Sequence, residues 1–319
     1  MEHSGAIAVS ALAVVLAILA FSSPSIAQIA HEGLEGYAPI AESLPSSLAC
    51  MAVVACVLWA LPFGKIAESR REQGNPRNKR TRIVDIKPAA ALVAVACLAA
   101  SSAAYLAVKL IGSSFSSAAL LSEMLGSAPT DGALLEPSLW APASATLRFA
   151  LFLSVCIATA FFEEGLFRVI LQKSAEKSLV EKGADPRKAG LKAALAISAV
   201  FGVLHVATAP LEGADPFQVA VQAAAKFAQG MMFGLIMTGL LKRTGSFSFI
   251  VALHACYDLI LFFPPALMFG VMPTTYLTGD PLDSLALAAA ACALIPAAAG
   301  AVRVLPAGGA CGGAVHGDA

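Results

Sequence analysis

The chain of 319 residues is short of charge, with 13% Asp, Glu, Lys and Arg against 58% hydrophobic residues. A soluble chain carries about twice that charged fraction, so this one cannot cover itself with a hydrated surface. Charge of one sign is not in excess either: 21 basic side chains stand against 21 acidic ones. Nothing supplies the cationic face that grips a phosphate backbone, and no nucleic-acid partner is expected. The sequence also lacks any C-x-x-C pair. Six of its seven cysteines (Cys50, Cys56, Cys97, Cys156, Cys256 and Cys292) sit in apolar runs, where a thiol behaves as a small hydrophobe. Disulfides and cysteine metal sites therefore do not organise the fold. The local His-Glu-x-x-His arrangement of soluble zinc peptidases is missing as well.

What is present is apolar length. A bilayer core of about 30 Å takes roughly 20 apolar residues in a helix. Eight stretches approach that, at 6–22, 46–64, 88–111, 147–171, 189–208, 217–241, 246–263 and 283–304. The expected fold class is all-α, a polytopic transmembrane helix bundle of about eight spanning helices, and its partner is the lipid bilayer. Ser25-Ile26-Ala27 resembles a signal-peptidase site. The preceding Met1-Glu2-His3 has no Lys or Arg, so a retained first helix is the expectation.

Lys and Arg resist translocation, so their loops stay in the cytoplasm. Eight fall in the linker 65–87, six in 173–192, two at Lys242-Arg243, and Arg303 ends the last stretch, which places 17 of the 21 on one face. The alternate loops 23–45, 113–146, 209–216 and 264–282 have none and carry Glu32, Glu35, Glu136, Glu212, Asp215 and Asp280. Both termini are expected in the cytoplasm, in the plasma membrane if the source is bacterial. The Gly-rich tail 306–319 reads as disordered.

Ionisable side chains inside the apolar stretches cost on the order of 2.5–3.5 kcal/mol each at mid-bilayer, even on a lenient scale. Those left there are Glu163, Glu164, Arg168, His205, Lys226, His254 and Asp258. Consecutive helical residues point about 100° apart, so Glu163 and Glu164 cannot face one partner. Glu164 and Arg168 are spaced i,i+4 with the acid first, the favourable order for a helical ion pair. That leaves Glu163 unpaired by its own helix. His254 and Asp258, again i,i+4, project from one face of a later helix, and His205 stands on a third. Lys226 forms a polar stripe with Gln222 and Gln229, a candidate cavity wall, although its stem could simply carry the ammonium to a wetter region. At 1.5 Å per residue, Glu163 and His205 lie at different depths. They meet only if the helices tilt, shift or break, which a membrane bundle permits where freed backbone lines a cavity.

Glu163-Glu164-x-x-x-Arg168, Phe201-x-x-x-His205 and His254-x-x-x-Asp258, in this order on successive helices, resemble the CPBP group of intramembrane peptidases. This is the CAAX protease and bacteriocin-processing family. The resemblance covers roughly 146–263, between N-terminal helices and loops over 1–145 and a last helical region over 264–305. It implies an endopeptidase acting on a membrane-associated peptide or protein: a prenylated CAAX-type terminus, a peptide leader, or a helix in the bilayer. It also implies that Glu163 and His205 activate a water while His254 and Asp258 steady the oxyanion, with Glu164 and Arg168 in support. The last motif position is often Asn in the family, so Asp258 brings a negative charge toward a developing oxyanion unless it is protonated or merely orients His254.

No cofactor is the preferred expectation. Two histidines and a carboxylate form a known catalytic zinc set, so a zinc site of His205, His254 and Glu163 is the mechanistic rival. Two other classes stay open: a non-catalytic scaffold conferring immunity to a peptide toxin, and a proton-coupled transporter. The transporter is disfavoured because no repeated half with matching broken helices is evident.

Overall fold

The computed structural model describes residues 38–60, 142–263 and 276–305, and the regular structure among them is helical. The expected spans at 6–22 and 88–111, the linker 65–87 and the tail from 306 lie outside these residues. In chain order the elements are α1 (Ala38–Ala60), α2 (Pro142–Glu163), a π-helical segment (Glu164–Leu171), α3 (Gln172–Glu181), α4 (Pro186–Leu204), α5 (Pro216–Thr244), α6 (Phe247–Phe263) and α7 (Pro281–Val304).

Three helices among the described residues are long and apolar enough to cross a bilayer: Phe149–Glu181, Pro216–Thr244 and Pro281–Val304. These account for three of the eight expected spans. The apolar parts of α1 and α6 are shorter, at Ser47–Leu58 and Phe247–Phe262. The region 173–192, expected as a linker, is instead largely helical, because α3 continues without interruption from the π segment. Its sequence is polar and so gives no spanning signal, but Lys177 and Glu181, i,i+4 and 3.8 Å apart, are the kind of pair that supports a helix at a water-facing end.

Helix starts are set locally by one repeated device. Asp185, Asp215 and Asp280 each precede a proline at the first helical position, and each carboxylate accepts a backbone N–H of the opening turn. The aspartate caps groups that have no intrahelical partner, and proline has no N–H to lose there. At the other end of α5, Gly245 takes a left-handed conformation with φ of 65° and stops the helix.

In the interior, α5 packs on α4 and α7, while α2 packs on α1 and α6. The main core joins Phe162, Leu166, Phe167, Ile170, Phe201, Phe233, Ile236, Met237 and Ile250 with α1 and α7 residues. Where α4 crosses α5 the backbones nearly touch. A methyl group on Gly202 would sit 2.6 Å from the Phe227 carbonyl oxygen, and one on Gly230 would sit 3.0 Å from the Gly202 Cα. Small residues at a crossing let helices in lipid approach this closely. This crossing fixes where His205, three residues beyond Gly202, stands relative to α5.

Candidate active site

The π-helical segment begins at the residue after Glu163. In a π-helix the backbone bonds run i to i+5 and the turn is wider, a distortion that recurs at functional sites. Seven of its eight residues, Glu164 through Ile170, are buried. Glu164 has no exposed surface, and its Oε2 lies 3.3 Å from the equally buried Nε of Arg168. The i,i+4 pair read from the sequence is thus present. The guanidinium also lies over the Phe201 ring, 4.6 Å from its centre, the face on which a desolvated cation is held electrostatically.

Glu164 does more than pair with Arg168. Its Oε1 accepts a 2.8 Å hydrogen bond from His254 Nδ1, since a carboxylate can only accept. That bond fixes the imidazole so that Nε2 points at two further carboxylates, Glu163 Oε2 and Asp258 Oδ2, each 3.6 Å away. Both distances exceed hydrogen-bonding range. Glu163 and Glu164, expected to face different partners, therefore share His254, one at each ring nitrogen, where the α-helix gives way to the π segment and a ring with two separate nitrogens can serve both. Phe233 meets the His254 ring edge-on at 4.8 Å and holds it from the side.

His205 follows the last residue of α4. Its Nδ1 donates to the Phe201 carbonyl oxygen at 2.8 Å, which also accepts the His205 backbone N–H at 3.3 Å. With Nδ1 carrying the proton, Nε2 of the neutral ring is an acceptor.

These side chains line one cavity of about 170 Å³, shared by Glu163, His205, Lys226, Gln229, His254, Tyr257, Asp258 and Tyr276. The depth mismatch anticipated between Glu163 and His205 is met by breaks in the helices: α2 gives way to the π segment immediately after Glu163, and α4 ends immediately before His205. Glu164 and Arg168 stand behind the cavity, joined to it through His254. Glu163 Oε2 is buried without a hydrogen-bond partner among the described residues.

The polar stripe on α5 divides its work. Gln222 faces the chain ahead of α7, where its Nε2 donates to the Asp280 carbonyl at 2.9 Å and to Thr278 Oγ1 at 3.1 Å, and its Oε1 accepts from Gly279 N at 3.0 Å. This clamp holds the neighbouring Tyr276 against the cavity. One turn later, the Lys226 ammonium lies 3.8 Å from the centre of the Tyr276 ring. Tyr257 and Tyr276 were not singled out by sequence. Tyr257 follows His254 by three residues and so shares its face, a usable signal, whereas Tyr276 lies in irregular chain and offers none.

Among the described residues no three His, Cys, Asp or Glu side chains are grouped as metal ligands, and both nitrogens of His254 face carboxylates.

Residues 145–260 match the family model of the Rce1-like type II CAAX prenyl endopeptidases, in agreement with the family resemblance carried by the three motifs. No curated protein and no solved structure matches the chain. The family match points to a CAAX-type intramembrane protease, and the long apolar helices identify an integral membrane protein.

Proposed function

We propose that the protein is an endopeptidase that cleaves a peptide bond near the end of a membrane-associated substrate, using a water activated by Glu163 and His205. One observation carries this reading: a half-buried glutamate, whose Oε2 makes no hydrogen bond among the described residues, faces at 3.6 Å an imidazole whose other nitrogen is anchored 2.8 Å from a second glutamate.

In this scheme a water in the cavity donates to Glu163 Oε2 and His205 Nε2. Water adds to the scissile carbonyl carbon as Glu163 takes its proton. The carbonyl oxygen becomes an oxyanion, and His254, when protonated on both nitrogens, donates to it from Nε2. The tetrahedral intermediate then collapses, the C–N bond breaks, and the proton held by Glu163 passes to the leaving amine. General-base catalysis of this kind contributes about 10²–10⁴-fold, and one well-aimed oxyanion donor about 2.7–4 kcal/mol. Asp258 faces the same His254 nitrogen, and its role is to orient the imidazole; an ionised carboxylate cannot itself stabilise an oxyanion. Glu164 and Arg168 position His254 from behind.

The experiment that tests the assignment is proteomics of membrane fractions from cells carrying the wild-type chain or Glu163→Gln. New peptide termini that appear only with wild type are expected. Identical sets of termini would overturn the reading.

A further inference from the structure

The mechanism above makes no use of Lys226, although it is 6% exposed and lines the same cavity. Among the described residues its ammonium forms neither a hydrogen bond nor an ion pair, and its contact is the face of the Tyr276 ring. Glu163 and Asp258 gather around His254 Nε2; their charges act on Lys226 across the cavity, but neither carboxylate comes within ion-pair distance of it or accepts its N–H groups. A buried ammonium with three N–H groups and no acceptor is costly to maintain, and a ring face replaces only part of the lost hydration.

A second unsatisfied donor faces the same space. The Tyr257 hydroxyl accepts from Gln229 Nε2 at 3.4 Å, which leaves its own O–H proton without an acceptor among the described residues. An ammonium and a hydroxyl that face one cavity, both short of an acceptor among the described residues, match a group with two oxygens and a negative charge.

We propose that Lys226 and Tyr257 form a subsite for the C-terminal carboxylate of the peptide substrate. The proposal rests on the endopeptidase reading for the identity of its ligand. Three residues of extended chain reach at most about 10 Å, so a carboxylate a few residues beyond the scissile bond can occupy the cavity that holds Glu163 and His254. Tyr276, held in place by the Gln222 clamp, fixes the direction of the Lys226 stem. The subsite makes the enzyme a reader of chain ends: a peptide whose terminus is blocked, or one continuing past this point, leaves the N–H groups of the ammonium without an acceptor.

The test uses two farnesylated CAAX-form peptides, identical except that one ends in a carboxylate and the other in a carboxamide. Their binding to the full chain carrying Glu163→Gln, in nanodiscs, is read by fluorescence anisotropy, and their cleavage by the wild-type chain is followed in parallel. A charge-assisted contact of this kind predicts about 10- to 100-fold tighter binding of the carboxylate form. Adding Lys226→Met should bring the two affinities together, Tyr257→Phe should reduce the difference, and Lys226→Arg should retain most of it. Equal binding of the two peptides, binding of neither, or an undiminished preference in Lys226→Met would overturn the subsite. Should Lys226→Met fail to fold, the comparison of the two peptides and the Lys226→Arg variant still decide. A preference in binding without any wild-type cleavage would refute the peptidase reading and leave the subsite standing; cleavage of both forms at equal efficiency would do the reverse.

Discussion

Replacing Glu164 by Gln removes one charge from a cluster with no access to water. Glu164 is fully buried, 3.3 Å from Arg168 Nε and 2.8 Å from His254 Nδ1. The amide keeps the shape and can still accept from His254 through its oxygen, but it no longer neutralises Arg168. The guanidinium has nowhere to go: Nη1 and Nη2 make no hydrogen bonds among the described residues, and the Phe201 and Phe167 rings are its remaining counterparts. Breaking a buried pair by removing one partner costs about 3–5 kcal/mol, chiefly because a charge is left uncompensated. Glu164→Gln should therefore lower unfolding free energy by that order, measured in mixed micelles by intrinsic fluorescence against denaturant. The double variant Glu164→Gln, Arg168→Met removes both charges and should recover most of the loss, since an apolar replacement of a buried pair is often neutral. The two variants should separate again in activity, because neither restores the charged acceptor that anchors His254. The reasoning is refuted if Glu164→Gln is within about 1 kcal/mol of wild type, the scale of an exposed pair, or if the double variant is no more stable than the single one.

Three further outcomes are expected. Purified protein should contain far less than one zinc per chain by elemental analysis, and thorough chelation should leave cleavage intact; stoichiometric zinc lost together with activity in both His205→Ala and His254→Ala would establish the zinc mechanism instead. Gly202→Ala should destabilise the chain by about 1–3 kcal/mol, the usual cost of overpacking, because the new methyl meets the Phe227 backbone oxygen. It should also lower kcat by displacing His205; a thermal melt and a rate equal to wild type would remove the crossing from the account. Reporter fusions after residues 75 and 182 should give cytoplasmic signals and those after 130 and 279 external ones, with a cytoplasmic signal at 130 reversing the orientation.

The site was legible in the sequence where chemistry conflicts with environment. Glu163, Glu164, Arg168, His205, His254 and Asp258 stand out because ionisable side chains do not persist in apolar helices without a reason, and their i,i+4 spacings already pair Glu164 with Arg168 and His254 with Asp258. Helix periodicity could not reveal that Glu164 reaches across to His254, a contact 90 residues apart in the chain. It could not reveal the π-helical segment either, since a wider turn leaves no mark in composition. Lys226 was visible but ambiguous, because a lysine on a spanning helix reads equally as a snorkelling side chain. Its position was decided by Gln222, whose three hydrogen bonds bring the Tyr276 region alongside. The three Asp-Pro helix starts were not read from the sequence, where Asp215 and Asp280 counted only as acidic loop residues, although each is a local capping pattern. The helical character of 172–181 was masked by polarity, which signals the end of a span but not the end of a helix.

Hydrolysis of a farnesylated CAAX-form peptide in H₂¹⁸O, with mass spectrometry of the shortened product, tests the central claim most directly. The account predicts that wild type releases a C-terminal fragment and leaves one ¹⁸O in the new carboxyl group. It predicts that Glu163→Gln, folded and equally abundant, loses at least about 10²-fold in rate. Cleavage by Glu163→Gln at the wild-type rate, or no ¹⁸O-labelled product from wild type, would contradict it.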